Sequence, residues 1–178
     1  MSHSDDSELL NPAKCEDWKH FVGAYVNEGF LIDFLSPEEY FLFVGKVNEI
    51  PEETVKATVE QYTEFLTDEI IGAGKLIRDL SAGNRQKVGI VSALLAQPKI
   101  VILDEPFNFL DPSSQNKLKK LLIDYHEQTG ATLLISSHNL THTVDISTHV
   151  ALMEKGKIIS FIDNIDGAAN KQLDEYFC

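Results

Sequence analysis

Apolar and polar positions along the chain change rhythm several times. Phe21-Val22-Gly23-Ala24-Tyr25-Val26 is rich in strand formers and stops at the polar break Asn27-Glu28-Gly29, which predicts a short buried strand. At Ser36-Pro37-Glu38-Glu39 the order is a hydroxyl cap, a proline in the first turn and two acids at the positive end of a helix, and an apolar run from Tyr40 to Val47 follows. A second helix is predicted from Pro51 to about Leu66, because Val55, Val59, Tyr62 and Leu66 recur at three- and four-residue steps. Before all of this, the polar stretch over residues 1 to 20, with its Asn11-Pro12 turn signal, reads as a loose lead-in.

Beyond Gly83 the rhythm becomes helix, strand, helix, strand: Val88 to Leu95, Ile100 to Leu103, Leu118 to Tyr125 and Thr132 to Ile135. That alternation predicts an α/β layer with parallel strands. Lys99 to Leu103 and Ala131 to Ser136 are short continuous apolar runs between polar residues, the pattern of strands covered on both faces. Val150 to Met153 and Lys157 to Ser160 flank Glu154-Lys155-Gly156, which predicts a hairpin with the glycine at positive φ. An amphipathic tail from Asn170 to Phe177 closes the chain.

Composition narrows the function classes. The 178 residues are one domain's worth, and 43% apolar with 24% charged residues is the balance of a chain that buries a core. A net charge of −13 repels phosphate backbones and anionic lipid, so nucleic acid is not an expected partner and a polybasic membrane anchor is disfavoured. Two cysteines near opposite ends, Cys15 and Cys178, make no disulfide framework and suit a reducing, cytosolic setting. No run approaches the roughly 18 apolar residues of a membrane span, and the first residues lack the order of a signal peptide, so a soluble chain is expected.

Four short stretches carry candidate chemistry. Val101-Ile102-Leu103-Asp104-Glu105-Pro106 places two carboxylates where a strand ends, the edge at which open α/β sheets bind ligands. There the first acid can hold Mg²⁺ and the second can orient an attacking water, and a merely solvated strand end is the competing account. Leu80-Ser81-Ala82-Gly83-Asn84-Arg85-Gln86 offers a helix cap at Ser81, a close-approach glycine at Gly83 and a positive helix end that attracts anions, although plain capping explains the same residues. Asp111 precedes Pro112 at the predicted start of the next helix, and His138 follows Ile135-Ser136-Ser137 at a strand end within reach of the same crevice. His142 and His149 follow without zinc-site geometry, and the Asn139-Leu140-Thr141 triplet is an incidental glycosylation pattern.

In this order the stretches resemble the nucleotide-binding domain of ABC-type ATPases. Leu80 to Asn84 looks like the LSGGQ signature, Val101 to Glu105 like Walker B with its catalytic glutamate, Leu110-Asp111 like the D-loop and His138 like the switch histidine. Ser81 and Asp104 lie 23 positions apart, and Asp104 and His138 lie 34 apart. The resemblance runs from about Phe21 to Ser160. It implies an α/β, P-loop NTPase-like parallel sheet layer, partial in this chain, with an inserted helical subdomain over residues 34–80. Residues 81–160 form the signature, Walker B and switch-histidine portion, and 161–178 the C-terminal tail. It further implies ATP and Mg²⁺, with Asp104 on the metal, Glu105 activating water, His138 on the γ-phosphate, and Ser81 and Gly83 touching ATP held by an opposite protomer. Asp111 belongs to the same nucleotide-contacting set. The implied partners are a second ATP-binding protomer and a transmembrane permease that keeps the protein at the inner face of the cell membrane.

Departures from the family pattern shape the expected activity. Ala82 and Asn84 replace the usual glycine and glutamine of the signature. The Q-loop glutamine should fall near Tyr25 to Glu28, where Asn27 or Glu28 stands instead. Nowhere does the sequence contain G-x-x-x-x-G-K-[ST], the loop whose amides and lysine cradle the β- and γ-phosphates. Gly72-Ala73-Gly74-Lys75 fails that pattern, with Glu69 at the first glycine position and Leu76 where Ser or Thr belongs. The expectation is therefore the C-terminal portion of an ABC ATPase domain that hydrolyses ATP very poorly alone, or a non-catalytic partner offering its signature face to a complete ATPase. Exposed sheet faces and an unpaired strand edge are expected to drive self-association.

Overall fold

The structure, a computed structural model, describes residues 13–138 and 144–164. The Asn139-Leu140-Thr141 triplet, His142, Cys178 and the predicted amphipathic tail from Asn170 to Phe177 lie outside the described residues. Strand β1 (Val22–Tyr25) pairs in parallel with β2 (Ile100–Asp104), which pairs in parallel with β3 (Thr132–Ser136), in the order β1-β2-β3. Helix α5 (Pro112–Thr129) links β2 to β3, the crossover that parallel strands require.

The strand register puts Tyr25, Leu103 and Ile135 side by side on one face, with Val101 and Leu133 beside them. Val101 and Leu103 are fully buried there, in a core shared with Val88, Ile90, Val91 and Leu94 of α4 (Ala82–Leu94) and with Leu118 and Leu122 of α5. The opposite face, formed by Val22, Ala24, Ile100, Ile102 and Leu134, is half-buried or exposed. Leu134 is 61% exposed in the middle of β3. The expectation that both apolar strands are covered on both faces is thus corrected: among the described residues only one layer packs on this three-stranded sheet. Its β3 edge and second face are open, contrary to the usual burial of parallel sheets.

Helix α1 (Pro37–Val47) starts at the predicted cap. Ser36 Oγ accepts from the Glu39 N–H at 3.2 Å while Glu39 Oε2 accepts from the Ser36 N–H at 2.8 Å, a reciprocal capping box. The single helix expected from Pro51 to Leu66 is two: α2 (Glu52–Gln61) and α3 (Thr63–Leu66), divided at Tyr62. Thr63 Oγ1 donates to the Glu60 carbonyl at 2.9 Å, the kind of side-chain competition that disfavours a continuous helix. The break turns Phe65 and Leu66 into the main core, where both are buried.

Strands β4 (His149–Glu154) and β5 (Lys157–Asp163) form the predicted antiparallel hairpin. Its turn residues Lys155 and Gly156 have φ of 48° and 77°, the pair of positive values that a two-residue turn matching strand twist requires. Val144 and Ile162 close a small second cluster with Val150 and Leu152. His149 opens β4, its Nε2 3.5 Å from Asp163 Oδ1. Among the described residues no helix is long and apolar enough to cross a membrane, and no three or more His, Cys, Asp and Glu side chains cluster so as to hold a metal ion.

Candidate functional site

The parallel sheet brings the C-terminal ends of β1, β2 and β3 to one edge, and the sequence loads that edge with polar residues. Asp104 ends β2 in register with Ser136 at the end of β3, and Ser136 Oγ donates to Asp104 Oδ1. Glu105 follows at φ 47°, its N–H donating to the Ser136 carbonyl at 3.2 Å and to Ser136 Oγ at 3.1 Å. His138, two residues past β3, lies with Nδ1 2.9 Å from Glu105 Oε1. A proton between that imidazole and that carboxylate can pass directly, since the separation is within hydrogen-bond range.

Across a shallow cleft from these acids stand Asn27 and Glu28, just past β1. Each already has a local task. Asn27 Oδ1 accepts from the Gly29 N–H at 2.8 Å, capping the 3₁₀ turn Glu28–Phe30, and Glu28 Oε2 pairs with Arg85 Nε at 2.9 Å. Tyr25 forms part of the wall, its phenol pushed up to about 12 chiefly by burial, with Glu28 adding to the rise and Arg85 opposing it. It stays a neutral phenol across the physiological range.

The residues around α4 sit beside this cleft. Ser81 caps the helix, Oγ accepting from the Asn84 N–H at 3.2 Å. Gly83 was expected to permit close approach of a ligand, and the close neighbour in the structure is the chain itself. A Cβ there would lie 2.5 Å from the Phe109 carbonyl oxygen. Phe109 adopts φ 58°, is 73% exposed and lies two residues before Asp111. Asp111 caps α5, Oδ1 accepting from the N–H groups of Ser113 and Ser114 and Oδ2 from Ser114 Oγ at 2.6 Å. The Ser114 hydroxyl, then its amide, holds the Asp111 carboxyl below the usual carboxylate range.

So Asp104, Glu105, His138, Asn27 and Glu28 share one edge, whereas Ser81, Gly83 and Asp111 occupy the adjoining α4 and α5 starts. Sequence reasoning missed three members. Arg85 ties the β1 end to the start of α4, donating from Nη1 to the Leu80 carbonyl at 2.9 Å as well as pairing with Glu28. Ser136 holds both Asp104 and Glu105. Gln86 is 4% exposed and donates from Nε2 to the carbonyls of Glu105 at 3.2 Å and Pro106 at 2.6 Å. A polar side chain on the otherwise apolar face of α4 was the available signal for Gln86. Nothing in a linear pattern pairs Ser136 with Asp104, because the register comes only from folding.

Comparison with known proteins bears on the family and the fold. The family model described as "AAA domain, putative AbiEii toxin, Type IV TA system" matches residues 20–145. The methionine import ATP-binding protein MetN of Carboxydothermus hydrogenoformans is 33% identical over 159 residues, covering 89% of this chain and 45% of that protein. The molybdenum import ATP-binding protein ModC of Rhodopseudomonas palustris is 30% identical over 160 residues, covering 88% and 40%. The chain therefore spans about half the length of the curated relatives it matches. Among solved structures, CbiO1 from Clostridium perfringens, part of the ABC transporter complex CbiONQ, superposes with a TM-score of 0.67 at 25% identity over 89% of this chain and 63% of that one. The ATP-binding cassette MJ0796, in a dimeric post-hydrolysis state with ADP and Pi, superposes at 0.75 with 18% identity over 89% and 72%, a likeness of fold. The chain belongs to the AAA-domain family and is a homologue of ABC transporter ATP-binding proteins.

Proposed function

We propose that the chain binds and hydrolyses ATP as part of an ATP-binding subunit of an ABC transporter, with Asp104, Glu105 and His138 as the reacting edge. The observation that carries this reading is the 2.9 Å approach of His138 Nδ1 to Glu105 Oε1 beside a carboxylate held by Ser136. Asp104 keeps Oδ2 for a hard cation, because its bond with Ser136 uses Oδ1. This suits Mg²⁺, which takes oxygen ligands and arrives with the nucleotide; when bound it neutralises phosphate charge. Glu105 orients the attacking water and accepts its proton. His138 donates to the γ-phosphate and is kept in place by Glu105. Asn27 and Glu28 close the opposite side of the cleft.

In this reading residues 34–80 are the helical subdomain, 81–160 the portion carrying the signature and Walker B, and 161–178 the tail. Ser81 and Gly83, set apart from the acidic edge, act on ATP held by a second protomer, with Asp111 fixing the turn between them and Glu105. A transmembrane permease docks beside the β1 end, where Val26, Phe30 and Phe34 leave apolar surface exposed. In this reading the protein works on the cytoplasmic side of the membrane, at its permease.

The test is Mg·ATP binding and hydrolysis by the chain and by Glu105→Gln over a range of protein concentrations. Slow hydrolysis lost in the variant supports the reading, and equal rates in both refute it. A second reading is favoured by the absence of G-x-x-x-x-G-K-[ST] from the 178 residues. The chain would then offer Ser81 and Gly83 to a complete ATPase and hold no ATP of its own, which the same titration reports as no binding at any concentration.

A further inference from the structure

Glu105 is an unusual place for a glutamate. Its φ of 47° is a region that non-glycine residues avoid, so the surroundings must impose it. On its N-terminal side the constraint comes from β3, where Ser136 receives the Glu105 N–H through both its carbonyl and its hydroxyl. On its C-terminal side it comes from α4. Gln86, nine-tenths buried, directs Nε2 at two consecutive carbonyls, those of Glu105 and Pro106. The Asn108 N–H, at 3.2 Å, is a further donor to the Glu105 carbonyl.

We propose that Gln86 is the positioning residue for Glu105: its amide, bonded to the Glu105 and Pro106 carbonyls, fixes the backbone that aims the Glu105 carboxylate at His138. The proposal rests on the reading of Glu105 as the water-orienting group, and concerns what holds that group. Two partners on two different elements, the Ser136 acceptors on β3 and the Gln86 donor on α4, clamp the peptide groups on either side of the Glu105 Cα. Removing the Gln86 donor leaves the Glu105 carbonyl with Asn108 alone and takes from the buried Pro106 carbonyl its Gln86 donor, and the peptide turns toward water or toward another N–H. Either turn rotates the Glu105 side chain away from the imidazole. Since Ser81 and Gly83 open the same helix, the element that presents the signature is also the one that sets the carboxylate.

The experiment needs no nucleotide, so its outcome is independent of whether the chain hydrolyses ATP. In the full chain, the His138 ring resonances are assigned by carbon and nitrogen NMR and compared in wild type, Glu105→Gln, Gln86→Met and the double variant. Methionine matches glutamine in length and lacks the donor. The expected result is that Gln86→Met moves the His138 resonances toward their position in Glu105→Gln. In the double variant, Gln86→Met should add nothing further. A His138 signal unmoved by Gln86→Met but moved by Glu105→Gln overturns the proposal, as do shifts that add in the double variant or a His138 signal insensitive to Glu105→Gln. Should Gln86→Met fail to fold, the wild-type chain still decides: the Gln86 side-chain amide protons must exchange slowly with solvent, and free exchange overturns the proposal.

Discussion

Replacing Gly83 by alanine sets two known effects against each other. Gly83 is the second residue of α4, and alanine is favoured over glycine in a helix by about 1 kcal/mol, so local propensity alone predicts stabilisation. The added methyl, however, would sit 2.5 Å from the Phe109 oxygen and 3.4 Å from its carbonyl carbon. Those are backbone atoms of a residue already at φ 58°, between the Asp104-Glu105 edge and the Asp111 cap, with little freedom to retreat. Relieving such overpacking costs about 1–3 kcal/mol. The steric cost exceeds the propensity gain, and the net destabilisation is on the order of 1 kcal/mol. In a domain of this size that lowers the melting temperature by about 2–4 °C. Thermal unfolding followed by circular dichroism, with urea titration to check that the slope is unchanged, measures it. A melting temperature that rises in Gly83→Ala refutes the claim that glycine stands at this position to admit the Phe109 carbonyl.

Leu118→Ala, at a fully buried site in α5, should cost about 2–5 kcal/mol in urea unfolding, and a loss well under 1 kcal/mol contradicts the core as described. Ser81→Ala removes the acceptor for the Asn84 N–H and should cost about 1 kcal/mol, while Ser81→Asp should keep most of the stability; equal losses in both count against the cap. Asp111 has its carboxyl held below the ordinary 3.8, so its contribution is fully present above that value and fades as pH falls through the lower folded value. Melting curves from neutral pH downward should therefore converge for wild type and Asp111→Asn in strong acid, and curves that stay parallel refute the assignment. Leu134→Lys on the open sheet face should shift the chain toward monomer in sedimentation, and unchanged association moves the contact elsewhere.

Much of the local structure was legible in the residues because its causes are local. The Ser36-Pro37-Glu38-Glu39 start, the hairpin turn at Lys155-Gly156 and the strand at β2 each follow from steric or hydrogen-bond preferences within a few positions. The order of the Ser81, Asp104, Asp111 and His138 stretches was enough to suggest the family, and the comparisons agree. What the sequence misjudged were matters of cover and continuity. An apolar strand reads the same whether or not a second layer packs on it, so the strand pattern pointed to cover on both faces, and only the missing phosphate-loop motif pointed to the open face that Ile100, Ile102 and Leu134 form. The break at Tyr62 likewise obeys the core, which draws in Phe65 and Leu66, rather than the helical period.

At the site, the sequence by itself determined which acids and which histidine stand at strand ends, because a strand's length and termini are written in its apolar run. Only the tertiary structure decided that Ser136 lies opposite Asp104, that His138 Nδ1 reaches Glu105, and that Gln86 holds the Glu105 carbonyl. Those contacts join residues 19 to 33 positions apart in sequence. They are fixed by parallel strand register and by the packing of α4 on the sheet, two quantities that no short stretch of sequence contains.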